Sequence, residues 1–134
     1  MFLTLKNKEA QIAVIGLGYV GLPLAIEFGK LFRVVGFDVN THLITLLKEG
    51  INPDTELPDA SIADSRVHFT TDTDQLKACQ FFIVAVPTPV DEHKVPDLSM
   101  LRAATATVSS CLKKGDYVIY ESTVYPGCTE EICL

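Results

Sequence analysis

The chain has 134 residues, 48% hydrophobic and 21% charged, which is one domain with enough apolar surface for a single packed core; a chain this size hides roughly two-thirds of the surface its unfolded form exposes. Its 11 basic residues against 17 acidic ones leave a formal net charge of −6, which argues against the basic face that nucleic acid or an anionic membrane requires. No apolar run reaches the length of a bilayer span, and Met1 to Gln11 lacks the apolar core and cleavage site of a signal peptide, so a soluble, cytoplasmic domain is expected.

Gln11 to Ile15 is a short apolar run, the pattern of a buried strand, and it enters a glycine-rich turn. Tyr19 to Leu31 carries Val20, Leu24, Phe28 and Leu31 at helical spacing, with Pro23 in the first turn, where a missing N–H costs nothing. Arg33 to Asp38 reads as a second strand. Asn40 is placed to cap a helix that turns Leu43, Ile44, Leu46 and Leu47 inward and ends at Gly50. Ile51 to Ser65 is polar and proline-bearing, with one short helical turn expected near Ala60.

Val67 to Thr70 reads as a third strand, and Asp72 with Gln75 has capping-box spacing for a brief helix up to Ala78. Phe81 to Val86 is the most apolar strand, stopped by Pro87 and Pro89. A loop from Val90 to Pro96 precedes a helix from Asp97, whose inward stripe is Leu98, Leu101, Thr105, Val108 and Leu112, closed by Gly115. Tyr117 to Glu121 is a fifth strand, and Thr129 with Glu130 and Glu131 resembles a helix start with acids suited to its dipole.

Strands apolar on both faces, alternating with helices, predict an α/β fold of the doubly wound kind, a parallel sheet with helices on both sides in strand order 3-2-1-4-5. The dinucleotide-binding form of that fold has a sixth strand. The sequence ends within the first turn of a helix, so residues 1–134 are expected to be one truncated domain, a fragment without a substrate domain. The fifth strand would then be an edge carrying Tyr117, Val118, Ile119 and Tyr120, and association between identical chains is expected to rise with concentration.

The four cysteines, Cys79, Cys111, Cys128 and Cys133, include no C-x-x-C pair and no nearby histidine, so they read as reduced thiols packed as small hydrophobes. The three histidines, His42, His68 and His93, form no cluster, and no metal site is expected.

Three stretches carry chemistry. Gly16-Leu17-Gly18-Tyr19-Val20-Gly21 fits G-x-G-x-x-G between a strand and a helix, and Asp38 ends the next strand at about the 20-residue offset such sites show. Gly16 permits the turn, Gly18 lets a pyrophosphate approach the backbone, and Gly21 lets the helix pack on the sheet. Free N–H groups and the positive helix end supply an anion site. Asp38 would accept hydrogen bonds from adenosine ribose hydroxyls and repel a 2′-phosphate, favouring NAD over NADP. Val86-Pro87-Thr88-Pro89 ends the fourth strand at the same edge, either as a stiff loop with the Thr88 hydroxyl facing the crevice or as a plain proline stop. Glu121 to Gly127 ends the fifth strand there too, and Ser122 and Thr123 read either as turn formers or as hydroxyls for cofactor and water.

In order, GLGYVGLPLA (Gly16 to Ala25), FDVN (Phe37 to Asn40), VAVPTPV (Val84 to Val90), PDLS (Pro96 to Ser99) and ESTVYPGCTEE (Glu121 to Glu131) resemble the N-terminal domain of the UDP-glucose/GDP-mannose dehydrogenase family. Within it, the chain is most similar to the branch acting on UDP-N-acetylhexosamines for bacterial surface polysaccharides, the Vi-antigen type among them. The resemblance implies a Rossmann-type fold and oxidation of a sugar C6 alcohol to a carboxylate with two NAD+, through an aldehyde and a cysteine thioester. It assigns Gly16, Leu17, Gly18, Tyr19, Val20 and Gly21 to the pyrophosphate and Asp38 to the adenosine ribose. Val86, Pro87, Thr88, Pro89, Ser122 and Val124 take the rest of the cofactor, and Thr123 helps to position a catalytic water. The family's glutamate base, lysine, asparagine and nucleophilic cysteine match nothing in these residues, and Cys128 falls on a loop position. NAD and a UDP-sugar are therefore the expected ligands, with no nucleic acid or membrane partner and a homo-oligomer as the assembly. Many relatives place an arginine five residues after the ribose-binding acid, where this sequence has Leu43. A nucleotide-sensing regulatory module is the rival reading; it accounts for the glycines and Asp38 but not for PTP and ESTVYPG, and neither do dehydrogenases of the hydroxyacyl or phosphogluconate type.

Overall fold

A computed structural model describes residues 10–52, 62, 65–90 and 92–121 of the chain. Five strands, β1 (Gln11–Ile15), β2 (Arg33–Phe37), β3 (Val67–Thr70), β4 (Phe81–Val84) and β5 (Tyr117–Tyr120), form one sheet in the order β3-β2-β1-β4-β5. Every pairing is parallel. The doubly wound topology expected from the alternation is the one observed.

Because side chains alternate across a strand, each central strand feeds two cores. On one face Ile12, Val14, Val34, Val67, Phe69 and Ile83 pack with Leu22, Ala25 and Ile26 of helix α1 (Gly21–Gly29) and with Ile44 and Leu47 of helix α2 (Thr41–Lys48). On the other, Ala13, Ile15, Val35, Phe37, Phe82 and Val84 meet Leu76 of a 3₁₀ helix (Thr73–Ala78) and Leu101, Ala104, Val108 and Cys111 of helix α3 (Ser99–Cys111). Burial on both faces is why these strands are unbroken apolar runs.

Local signals set most boundaries. The Asn40 side chain accepts from Leu43 N at 3.1 Å and caps α2, while Gly50 (φ 78) follows its end. Asp72 caps the 3₁₀ helix through Asp74 N at 2.9 Å rather than through Gln75, so the turn is tighter than a capping box makes. Asp97 starts α3 from two residues ahead, accepting from Ser99 N at 2.9 Å, and that bond holds its carboxyl below the ordinary range. Lys113 closes α3: its ammonium donates to Lys77 O at 2.9 Å, Cys79 O at 3.0 Å and Cys111 O at 3.5 Å, and pairs with the nearly buried Asp116 at 3.1 Å.

Other expectations are corrected. Helix α1 begins at Gly21, not Tyr19, and ends at Gly29; Val20 and Leu31 are exposed, and the inward residues are Leu22, Ala25 and Ile26. The inward stripe of α3 is Leu101, Ala104, Val108 and Cys111, rotated from the expected one, which leaves Leu112 in solvent and turns the Thr105 hydroxyl onto Tyr120 Oη at 3.0 Å. Strands β2 and β4 end at Phe37 and Val84, short of Asp38 and Val86. Val90 and Pro96, the ends of the expected loop, are joined by an antiparallel bridge. The turn expected near Ala60 and the helix start at Thr129 lie outside the described residues.

Candidate functional site

The two halves of the sheet diverge at β1, whose neighbours are β2 on one side and β4 on the other. Their connections leave on opposite faces, and the crevice this opens at the carboxyl ends of the strands is where ligands of open parallel sheets bind. Here Gly16 N donates to Phe37 O at 2.8 Å and Ala85 N donates to Ile15 O at 2.8 Å, so β1 stays fastened to both neighbours until the chain turns.

At Gly16 the backbone has φ +95, and a Cβ there would lie 3.0 Å from the backbone of Ala85 and Val86, so glycine is required twice over. A Cβ on Gly21 would overlap the Gly16 carbonyl oxygen and stand 3.3 Å from the Ala85 Cβ. Gly21 therefore lets α1 begin directly against the turn, a closer approach than packing on the sheet alone demands. At Gly18 a Cβ would meet nothing within 4 Å; the space beside that backbone is open.

The first bond entering α1 runs from Leu22 N to Gly18 O at 3.1 Å, so the N–H groups just before it are those a helix start leaves without an intrahelical acceptor. No acidic side chain occupies the first turn of α1, which keeps its positive end available to an anion. The Asp38 carboxylate stands across the turn, accepting from Leu17 N at 3.0 Å on Oδ2 and from Asn40 N at 2.9 Å on Oδ1.

These groups border one cleft of about 430 Å³, in the range of small-molecule sites. Ile15, Gly16, Leu17 and Gly18 form its floor, Phe37, Asp38, Val39, Asn40 and Leu43 one wall, and Val86 and Pro87 with Met100, Ala103, Ala104 and Thr107 of α3 the other. The structure thus brings together Gly16, Leu17, Gly18, Asp38, Val86 and Pro87. Gly21 stands behind the turn, Tyr19 and Val20 expose their side chains and bring only main chain to the helix start, and Thr88 and Pro89 lie outside the lining. Ser122, Thr123 and Val124 lie outside the described residues, as do Cys128 and Cys133.

Sequence reasoning missed the α3 wall. Its signal was a second stripe at helical spacing, Met100, Ala103 and Thr107, beside the buried one. An open cradle at Gly18, a free helix start and a carboxylate facing them across an apolar cleft fit the adenosine and pyrophosphate half of a dinucleotide.

The remaining reactive groups stand apart. Cys79 is buried and its thiol is pushed up to about 12 by that burial, against the opposing pull of Lys113. Cys79 and Cys111 are free thiols, as expected of small core hydrophobes. His42, His68 and His93 are exposed, and among the described residues no group of three His, Cys, Asp or Glu could hold a metal ion. No helix among them is long and apolar enough to cross a membrane.

Comparison with known proteins agrees with this geometry. The chain is 52% identical over 127 residues to a UDP-N-acetyl-D-glucosamine 6-dehydrogenase of Salmonella typhi, covering 94% of this chain and 30% of that protein. It is 54% identical over 128 residues to the Pseudomonas aeruginosa protein of the same name, covering 95% and 30%. A UDP-D-ManNAc dehydrogenase structure from Pyrococcus horikoshii superposes with a TM-score of 0.84 at 37% identity, over 91% of this chain and 30% of that one. The chain therefore spans about 30% of the length of these relatives. The family model for the NAD binding domain matches residues 10–134, and the chain belongs to the UDP-glucose/GDP-mannose dehydrogenase family as its NAD-binding domain.

Proposed function

We propose that this chain is the cofactor-binding part of a cytoplasmic dehydrogenase that oxidises the C6 alcohol of a UDP-N-acetylhexosamine to the carboxylate, with two NAD+ per sugar, in surface polysaccharide synthesis. The observation that carries the cofactor half is the convergence of the Gly16–Gly18 turn, the Asp38 carboxylate and the Val86–Pro87 wall on one cleft. The substrate half rests on the two relatives named UDP-N-acetyl-D-glucosamine 6-dehydrogenase. Bound NAD+ supplies a hydride acceptor. The chain's own residues bind and orient it: the Gly16 to Gly21 turn takes the pyrophosphate, through its N–H groups from Gly18 onward at the start of α1. Asp38 takes the adenosine ribose and excludes a 2′-phosphate by charge. Val86, Pro87, Thr88 and Pro89, with Ser122 and Val124, take the remainder, and Thr123 positions a water. Tyr117 and Ile119 of β5 are exposed, which supports association of identical chains through that strand; a monomer by light scattering at high concentration would count against it.

The cofactor reading is tested by calorimetric titration of NAD+ into this chain with NADP+ in parallel. NAD+ binding with NADP+ weaker by about tenfold or more, about 1.4 kcal/mol, is expected. Binding of neither, or of both alike, overturns it. The substrate reading is tested on the full-length enzyme, where UDP-N-acetylglucosamine should yield two NADH per sugar and UDP-glucose far less; preference for UDP-glucose overturns that part alone.

A further inference from the structure

We propose that Asp38 is a positioning residue as well as a ribose ligand: its carboxylate latches the glycine turn to the end of β2, so the pyrophosphate cradle depends on it even for ligands that have no ribose hydroxyls. The binding consequence rests on the NAD reading above; the latch itself does not.

The last backbone bond between β1's exit and β2 runs from Gly16 N to Phe37 O at 2.8 Å. The next donor, Leu17 N, finds its acceptor in a side chain, Asp38 Oδ2, at 3.0 Å across 21 residues of sequence. Leu17 is only 2% exposed, and its N–H lies in a part-buried bond, so Asp38 is the acceptor that the fold itself provides for it. The other oxygen, Oδ1, accepts from Asn40 N at 2.9 Å, and the Asn40 side chain in turn accepts from Leu43 N at 3.1 Å. One carboxylate therefore joins the glycine turn to the first turn of α2.

An ionised carboxylate offers about four acceptor positions. The two backbone donors take one on each oxygen, which orients the group and leaves one on each for a pair of vicinal hydroxyls. An amide cannot reproduce this. With its oxygen toward Leu17 it sets an NH2 against Asn40 N–H, and turned over it sets the NH2 against Leu17 N–H. Removing the acid to admit a 2′-phosphate should thus loosen the turn that holds the pyrophosphate, so cofactor preference is not invertible at this position alone.

The test has an arm that needs no variant. In the native chain the Leu17 amide should exchange with solvent slowly, with protection comparable to that of Gly16; rapid exchange at Leu17 overturns the latch. In Asp38→Asn the Leu17 amide should exchange about tenfold faster or more, while Gly16, Val14 and Ile15 keep their protection and report an intact sheet. Should that variant fail to fold, Asp38→Glu, which keeps the charge but displaces the oxygens, takes its place. The second arm measures ADP and 2′,3′-dideoxy-ADP by calorimetry. A residue serving only the ribose leaves dideoxy-ADP affinity unchanged on substitution; the latch predicts a loss of about threefold or more. Unchanged dideoxy-ADP affinity overturns the proposal. If the native chain binds neither nucleotide nor NAD+, the cofactor reading fails, and Leu17 exchange still decides the latch.

Discussion

Alanine at two glycines two residues apart should have opposite consequences, one on stability and one on binding. At Gly16 the φ of +95 and the 3.0 Å approach to Ala85 C and Val86 N oppose a side chain through strain and contact with backbone that cannot step aside. An L-residue held in such a conformation costs about 1–3 kcal/mol, and overpacking adds about 1–3 kcal/mol, so Gly16→Ala should lose about 2–6 kcal/mol. For a chain this size each kcal/mol moves the midpoint by about 3–5 °C, so thermal unfolding followed by circular dichroism should shift down by about 6–30 °C. At Gly18 the backbone lies outside the left-handed region and the added carbon meets nothing within 4 Å. Gly18→Ala should leave the midpoint unchanged or raise it slightly, because the unfolded chain loses about 0.4–1 kcal/mol of conformational freedom. Its methyl instead fills the cradle. If the displaced group is a pyrophosphate, a crowding cost of about 1–3 kcal/mol weakens NAD+ binding about five- to 150-fold. Native NAD+ affinity in Gly18→Ala, or an unshifted midpoint in Gly16→Ala, would refute the assignment of these two glycines.

Three further outcomes are expected. Lys113→Met should cost about 2–3 kcal/mol in urea unfolding, because it strips the shared donor from Lys77 O and Cys79 O and leaves the nearly buried Asp116 without its cation; a loss below about 0.5 kcal/mol would make the contact an ordinary surface one. With its thiol raised to about 12 from the ordinary 9.0, Cys79 keeps its proton in the folded chain while the unfolded chain gives it up. Its contribution is complete below pH 9.0 and falls as pH rises from there towards about 12. Cys79→Ala should therefore be less stable at neutral pH but lose stability less steeply from pH 9 to 11; equal slopes would sink that account. Leu43→Arg places a cation in the wall beside Asp38, and should tighten NAD+ binding by about 0.5–1 kcal/mol in a manner that fades with added salt; a gain independent of salt would point to packing instead.

The position of the site at the carboxyl edge follows from chain order rather than from any single residue. Connections after β1 and β2 lie with α1 and α2 on one face, and those before and after β4 lie with the 3₁₀ helix and α3 on the other. The crevice between them is a consequence of right-handed crossovers running outward in both directions from β1. Asp38 holds its margin, between the glycine turn and α2, while Lys113 ties the ends of the 3₁₀ helix and α3 at the opposite, amino edge of the sheet.

Much of this was legible in the sequence because it is decided locally. Gln11 to Ile15 and Phe81 to Val84 are strands since only two-sided burial suits such runs, Asn40 caps because its side chain reaches three residues on, and the glycine pattern marks a turn that needs φ of +95 at Gly16. Strand order, too, followed from reading the alternation as the doubly wound fold, whose order it is. What required the tertiary structure was every relation between distant residues. The rotation of α3 that buries Ala104 and Cys111 and turns Met100, Ala103 and Thr107 to the cleft depends on the sheet packed beneath it, because small residues carry little hydrophobic signal of their own. The early end of β4 at Val84, the exposure of Leu31 and the bond from Leu17 N to Asp38 likewise depend on which surfaces meet. A periodicity states that a face is apolar; only the packed neighbour determines which face that is.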